Sequence, residues 1–580
     1  MIVGIDLGTS NSMAAVYRDG QPVLIESKTG SHCIPSVVSM DEHGFFYTGD
    51  EAVAGKKTNM NCSVGLFKRS MGTSKMFSLG KKELKAEELS AILLKSIKEQ
   101  AEAFVGEKIT EAVIGVPAFF NNLQRKAVLR AGELAGLHVK KLMNEPTAAA
   151  IAYGIQKREK DNEGDEQNVI MVLDIGGGTF DISIMETTDT VMEVISICGD
   201  NHLGGEDFTQ RLIELFLLHN HLPKEMTQEE ESMLWSQAQE AKNRITLEGK
   251  GRMCCTLNQK EYDYEITEEE YEQECMDFLE RIRQTILQAV RESKYEPEEI
   301  SDIIMVGGGT KLSIIRKMVE KMIGRKLQYK IHPDEAVAMG TAIQGALLEK
   351  DEGIRDLVMT DVCPYYIGVQ IWDRDAYDIQ GYFDVAISKN TVIPARRILR
   401  HWDNPHGFAY STIIQSDNEY GIGGIEIGEL KFTRPKMGTK DRIEVQKIIT
   451  YDTNGIIYLE AYIPANGMCF KSVIRGEDSE LSMEDVKRRE NELKNLVFGI
   501  SEVDDLIIAR AERLYTECLG RDREQIDAGI QGYEAALKTG KARRIQFARE
   551  NLINVLNTYE KSGYGGVSWM SGQYWESIKH

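Results

Sequence analysis

A short run recurs in this sequence, and its recurrence constrains the fold more than any bulk property of the chain. Residues 3–17 read VGIDLGTSNSMAAVY, and residues 172–184 read VLDIGGGTFDISI. In both, an apolar strand carries an aspartate to its end (Asp6, Asp174), glycine and threonine form a tight turn, and a second strand follows. Such a turn leaves backbone N–H groups exposed as a nest for phosphate oxygens, and the threonine hydroxyl adds a donor. A carboxylate beside phosphate needs a cation between them, so Asp6 and Asp174 point to Mg²⁺ held through water. Either turn by itself reads more readily as an ordinary hairpin. A matched pair predicts a duplicated domain whose halves clamp a polyphosphate from both sides.

A third glycine run, MVGGGTKLSIIRKM (305–318), passes from strand to helix and leaves room for a flat adenine or ribose against the backbone. Upstream, SQAQEAKNRIT (236–246) sets Gln239, Lys242 and Thr246 on one helical face, which alone reads as a solvated surface. No Walker A run, HExxH or GxSxG occurs, so a P-loop, zincin or serine-hydrolase chemistry has no support.

Up to about residue 355, apolar strands (111–120, 168–177, 302–309) alternate with amphipathic helices, the pattern of an α/β unit. Residues 87–104 predict one such helix, with Leu89, Ile92, Leu93, Ile97 and Phe104 on its apolar side. The acidic run 157–167 reads as a solvated loop between two halves. From 363 to 475 the period shortens to two, and Asp452-Thr-Asn-Gly455 supplies a hairpin turn, so an antiparallel β domain follows. From 481 the pattern is helical again, opened by a Ser482-x-x-Asp485 cap and punctuated by helix-stop glycines at 520, 540 and 563. The aromatic, glycine-rich run 563–575 is expected to be a mobile end.

At 580 residues the chain exceeds one core and divides into two or three domains. Its net charge of −22 argues against a nucleic-acid partner, which requires clustered positive charge. The nine cysteines lack disulfide or zinc spacing, which fits a reducing compartment. No apolar run reaches the ~20 residues that span a bilayer, and the chain enters a strand at once without a signal-like segment, so a cytoplasmic protein with no membrane partner is expected.

Six runs, GIDLGTSNS, NEPTAAAIAYG (144–154), DIGGGTFDISI, HLGGEDF (202–208), VGGGTKL and HPDEAVAMGTAIQGA (332–346), closely resemble the DnaK-type seventy-kilodalton heat-shock chaperone family. They occur in the family's order across the first 346 residues. The resemblance implies a two-lobed actin-like ATPase domain (1–355), a linker (356–362), a β-sandwich peptide-binding domain (363–480), an α-helical lid (481–562) and a tail (563–580). It implies ATP/ADP and Mg²⁺, with K⁺ as a further candidate. The implied partners are unfolded or extended peptides and a J-domain co-chaperone, with the need for an exchange factor left open.

Position by position, the resemblance assigns Asp6, Gly8, Thr9, Ser10 and Asn11 to the first phosphate loop, and Gly176, Gly177, Gly178 and Thr179 to the second. HLGGEDF adds Gly204, Gly205 and Glu206. The adenosine pocket takes Gln239, Lys242, Thr246, Gly307, Gly308, Gly309, Lys311 and Asp334. Lys68, otherwise an unremarkable neighbour of Arg69, would join Glu145, Asp174 and Thr179 in hydrolysis. Pro117 and Arg125 match a relay pair, and Asp356, Leu357 and Asp361 belong to the linker, which reads equally as a strand entering the next domain.

The chain also departs from the pattern. Gln239 replaces a common glutamate, and Lys311 replaces an arginine whose planar group stacks on a base. The segments after Lys68 and from 247 to 266 are short, the latter where an exchange-factor loop sits in relatives. The cleft region 400–424 is unlike typical members, so Ile398 and Phe408 are nominal pocket residues. The combination resembles the divergent bacterial HscC-type subgroup. Two other classes compete: an actin-like filament or sugar kinase sharing only the ATPase fold, and an ATP-binding scaffold or regulator with a narrow client range and weak turnover.

Overall fold

The computed structural model describes residues 1–562 apart from 59–62, 161–167, 189–190, 258–259, 325, 328–330, 352–353, 355–357, 372–381, 404–406, 435–441, 473–503, 505–506, 509, 512–513, 516–519 and 540. The Ser482 cap, Gly540, Gly563, the aromatic end, and linker positions Asp356 and Leu357 therefore lie outside the described residues.

Two sheets carry the same local topology. In the first, Ile2–Asp6 lies antiparallel to Asn11–Arg18 and parallel to Glu111–Val116. In the second, Asn168–Ile175 lies antiparallel to Phe180–Thr187 and parallel to Ile300–Val306. Both central strands are almost entirely buried, because helices cover the two faces of each sheet. The helices Glu145–Lys160 and Ala336–Leu348 cross where Gly340 meets Ala148, so closely that a Cβ on Gly340 would stand 1.9 Å from the Ala148 carbonyl oxygen. One apolar core fills each sheet's outer layer, and a third, including Ala148, Ile151, Val337 and Ile343, joins them.

The helix expected over 87–104 runs from Ala86 to Val105, but Phe104 is exposed near its C-terminal end. The loop expected from 157 begins later, since the helix from Glu145 continues to Lys160. Gly520, expected as a helix stop, is itself helical, the first described residue of the helix Gly520–Lys538.

Two four-stranded antiparallel sheets follow, with Ile367, Val369, Ile413, Val445, Ile449 and Leu459 between them. The Asp452–Gly455 turn forms as the sequence predicts: Gly455 donates its N–H to the Asp452 carbonyl at 3.1 Å, with φ of +72°. The segment 247–266 is mostly a plain hairpin, Lys250–Leu257 against Lys260–Thr267. A helical bundle ends the described chain, holding Ile507, Leu514, Ile526, Tyr533, Leu552 and Leu556 around its axis. No helix among the described residues is long and apolar enough to cross a membrane.

Strand Val358–Val362 ties the α/β unit to the β sandwich. It extends the second α/β sheet in parallel with Val191–Asp200, pairing Val358 with Val191 and Met359 with Met192. Its other end pairs Asp361 with Ile393 of the sandwich.

Candidate active site

The turns after Asp6 and Asp174 face each other across a cavity of about 1120 Å³. They meet at its edge: Ser10 Oγ donates to Glu206 Oε1 at 2.6 Å, and a Cβ on Gly177 would stand 2.3 Å from Ser10 Oγ. Strand pairing fixes this arrangement, because Asp6 aligns with Gly115 and Asp174 with Val306, each at or one residue from the end of its strand. Ser36, which sequence reasoning missed, braces the first turn by donating its hydroxyl to the Gly8 carbonyl and its N–H to the Ser10 carbonyl, both at 2.8 Å.

Almost every residue assigned to nucleotide or chemistry lines this cavity, including Thr9, Asn11, Gly176, Thr179, Gly205 and Thr246. Gly178 and Gly204 are the exceptions. Arg69 covers Gly178, 2.3 Å from where a Cβ would be, and binds Asp207 at 2.5 Å. Gly204 lies behind the second turn, with Gly177 and Gly178 backbone atoms within 2.5 Å of its Cβ position. Both shape the loop from behind rather than face the cavity.

Lys68 and Glu145 form a buried ion pair at 2.8 Å. Around it stand Asp6, Asp174 and Asp181, an acidic cluster with one ammonium. Burial, then Glu145, pushes Asp6 up to about 8 and raises Asp174 well above the carboxylate range. Asp181, also pushed up to about 7 by burial, sits opposite Asp174 across the strand pair and accepts the Phe119 N–H at 3.0 Å. Its position two residues beyond Thr179, with the alternation of the strand, was the available signal. Asp174 Oδ2 is buried without a protein partner. A hard, oxygen-liganded cation reached through water fits this donor set, whereas no group of three or more His, Cys, Asp or Glu side chains among the described residues is placed to hold a metal directly.

On the side expected to hold adenosine, Lys242 Nζ donates to Thr209 Oγ1 at 2.6 Å and to the Gly205 carbonyl at 3.0 Å. Thr209 in turn donates to Gln239 Oε1 at 2.6 Å, so neutral Gln239 leaves Lys242 without a carboxylate on its own helix face. Burial brings Lys242 down to about 8, with Glu206 and Asp207 acting the other way. Lys311 is held by Asp334 at 2.7 Å, with Gly308 and Gly309 beside it on the cavity wall. Gly307 has φ of +79°, and a Cβ there would stand 2.5 Å from the Ile175 carbonyl oxygen, which brings this motif against the second phosphate turn.

Arg125 lies away from the cavity. Its guanidinium donates to Asn144 Oδ1 at 2.7 Å, to the Ala118 carbonyl at 3.0 Å and to the Asn454 carbonyl in the sandwich hairpin at 3.3 Å. Pro117 follows the strand Glu111–Val116 and accepts the Phe120 N–H, placing the Phe120 carbonyl to receive Arg125 Nε at 3.0 Å. Ile398 is half-exposed on the strand Ala395–Asp403, and the Phe408 side chain lies outside the described residues.

Two like sheets, with paired Asp–Gly–Thr turns facing one cavity, define the actin-like class of ATP-binding domain. The particular family follows from comparison: the chain belongs to the Hsp70 family, described as "Hsp70 protein", which matches residues 2–498. It is similar to the chaperone protein DnaK of Thermotoga neapolitana, 34% identical over 517 residues and covering 85% of each chain. The chaperone protein DnaK of Thermotoga petrophila is 32% identical over the same length and coverage. The protein is therefore an Hsp70-type ATP-dependent chaperone, an ATPase that binds ATP and ADP and acts on client peptides.

Proposed function

We propose that Lys68, Glu145, Asp174 and Thr179 perform the hydrolysis that drives this chaperone. The carrying observation is the Lys68–Glu145 pair at 2.8 Å, set between the two phosphate turns. Phosphoryl transfer is mostly positioning plus electrostatics, so the residues have three tasks. The turns at Gly8–Asn11 and Gly176–Thr179 hold phosphate oxygens with backbone N–H groups and the Thr9 and Thr179 hydroxyls. Lys68 places its ammonium against the developing charge and pairs with Glu145 at 2.8 Å. Glu145 and Asp174 orient the attacking water. Mg²⁺ bound through water by Asp6 and Asp174 would neutralise phosphate charge. K⁺ would add to that neutralisation.

The reading extends to the whole chain. An ATPase domain over 1–355, a linker over 356–362, a sandwich over 363–480, a lid over 481–562 and a tail over 563–580 divide the labour. ATP opens the peptide cleft and hydrolysis closes it, with Arg125 and Asp361 relaying the change. A J-domain partner accelerates hydrolysis in the cytoplasm. The short segments and unusual cleft support placement in an HscC-type subgroup with a restricted client range. The Lys68→Ala variant tests the chemistry: it should bind ATP yet lose single-turnover hydrolysis by ~10²–10³-fold, and unchanged turnover would remove Lys68 from the mechanism.

A further inference from the structure

Two residues near the end of the described chain, Asn557 and Glu560, line the same cavity as Lys68 and Gln239. Both belong to the last described helix, Ala542–Ser562. Arg510 explains how they are held. Its side chain is fully buried, and its guanidinium donates to Asn557 Oδ1 at 2.5 Å and Glu560 Oε2 at 2.7 Å. It also reaches out of the bundle to the Thr29 carbonyl at 2.8 Å. Ser31 Oγ completes the network by donating to Glu560 Oε2 at 2.9 Å. A guanidinium leaves water at this cost only where each partner is in place, so the network defines one docked geometry. Gly30 lets the surfaces close: a Cβ there would stand 2.9 Å from Ile553.

This contact leads straight to the first phosphate turn. Ile34–Pro35 pairs with Ser12 and Asn11, and Ser36 holds the carbonyls of Gly8 and Ser10. The other lobe is held too. Arg523, on the helix Gly520–Lys538, pairs at 3.2 Å with Glu240, next in sequence to Gln239. The bundle thus grips both lobes at the mouth of the cavity.

We propose that the C-terminal helical bundle is the outer wall of the nucleotide cavity and gates the passage of nucleoside di- and triphosphates. Docked through Arg510 on one lobe and Arg523 on the other, it ties the lobes together and slows nucleotide escape. Lifting the bundle opens the mouth. This rests on the reading of the cavity as the nucleotide site.

Release of fluorescently labelled ADP from the full chain, chased with unlabelled ADP, tests the gate. Arg523 and Glu240 are partly exposed, at 24% and 15%, so Arg523→Ala and Glu240→Ala leave the fold intact. Arg523→Ala should speed release about two- to fivefold, and the Arg523→Ala/Glu240→Ala double variant should release no faster than the quicker single variant. Arg510→Lys, which keeps the charge but loses the fork, should speed release by ~tenfold or more. Release rates unchanged in Arg523→Ala and Arg510→Lys, with ADP still bound, would overturn the gate alone. Failure of the unmodified chain to bind labelled ADP would overturn the cavity reading and the gate with it.

Discussion

The Asp361 carboxylate accepts a hydrogen bond of 2.7 Å from the side-chain amide of Asn144, the residue directly before Glu145. The same Asn144 accepts from Arg125 at 2.7 Å, and Arg125 touches the sandwich hairpin at Asn454. One side chain, Asn144, thus joins Asp361 to the residue beside Glu145, so a change at Asp361 is expected to reach the candidate active site. Burial raises the Asp361 carboxyl, so its charge depends on these partners, Arg125 and Asn144 among them. Asp361→Ala should slow ATP-triggered peptide release by ~tenfold or more, the scale of losing a hydrogen bond to a charged group. Peptide dissociation rates with and without ATP measure this, and an undiminished ATP response rejects the route.

Strand Val358–Val362 refines the expectation for the linker. Val358 is 53% exposed, whereas Met359 packs against the core shared by the two lobes. Met359→Asp would place a charge against that core and release the strand from Val191–Asp200. Loss of ATP-driven peptide release is expected in Met359→Asp, with Val358→Asp close to the unmodified chain. Equal effects from the two substitutions would mean that strand pairing, not the Met359 contact, holds the linker.

What the sequence disclosed, and what it hid, follows from how locally each feature is determined. The duplicated turns were legible because strand, carboxylate, glycine and threonine sit within a dozen residues and each serves the same chemistry. The Asp452–Gly455 turn was legible for the same reason. Its seat on Arg125 was not, because Leu142 N–H to Asn454 Oδ1, at 3.0 Å, joins residues far apart in sequence, and only domain shape brings them together. Gly177 and Gly178 are identical letters in one run, separated in role by the Arg69 side chain that covers the second. Gly520 misled because a glycine can lie within a helical run as well as end one, and its place depends on the packing of the bundle.

With Gln239 in place of a carboxylate, nucleoside binding is expected to be sensitive to alkali. Lys242, brought down to about 8 by burial, loses its charge as pH rises through that value. Its hydroxyl partner Thr209 also bonds Gln239, so a carboxylate at 239 would stand close enough to keep the ammonium charged. Adenosine, which carries no phosphate, should bind the unmodified chain more weakly at pH 9 than at pH 7. Gln239→Glu should move that loss to higher pH. Calorimetric titration at the two pH values checks both, and pH-independent adenosine binding would place Lys242 outside the recognition.

Asp6 sets the opposite trend for the phosphate side. Its carboxyl, raised from 3.8 to about 8 by burial and by Glu145, holds its proton more tightly in the folded chain than in the unfolded one. The folded state then binds more protons between those values, so stability without a cation falls as pH rises from about 4 through 8. A divalent cation at Asp6 reverses the penalty by stabilising the ionised carboxylate and expelling its proton. The increase in Tm produced by Mg²⁺ with ADP should therefore be larger at pH 8.5 than at pH 6, with proton release on binding at pH 7. Asp6→Asn should flatten both dependences. A Tm increase from Mg²⁺ and ADP that is the same at both pH values, in a chain that keeps Asp6, would separate this carboxylate from the metal and leave Asp174 to hold it alone.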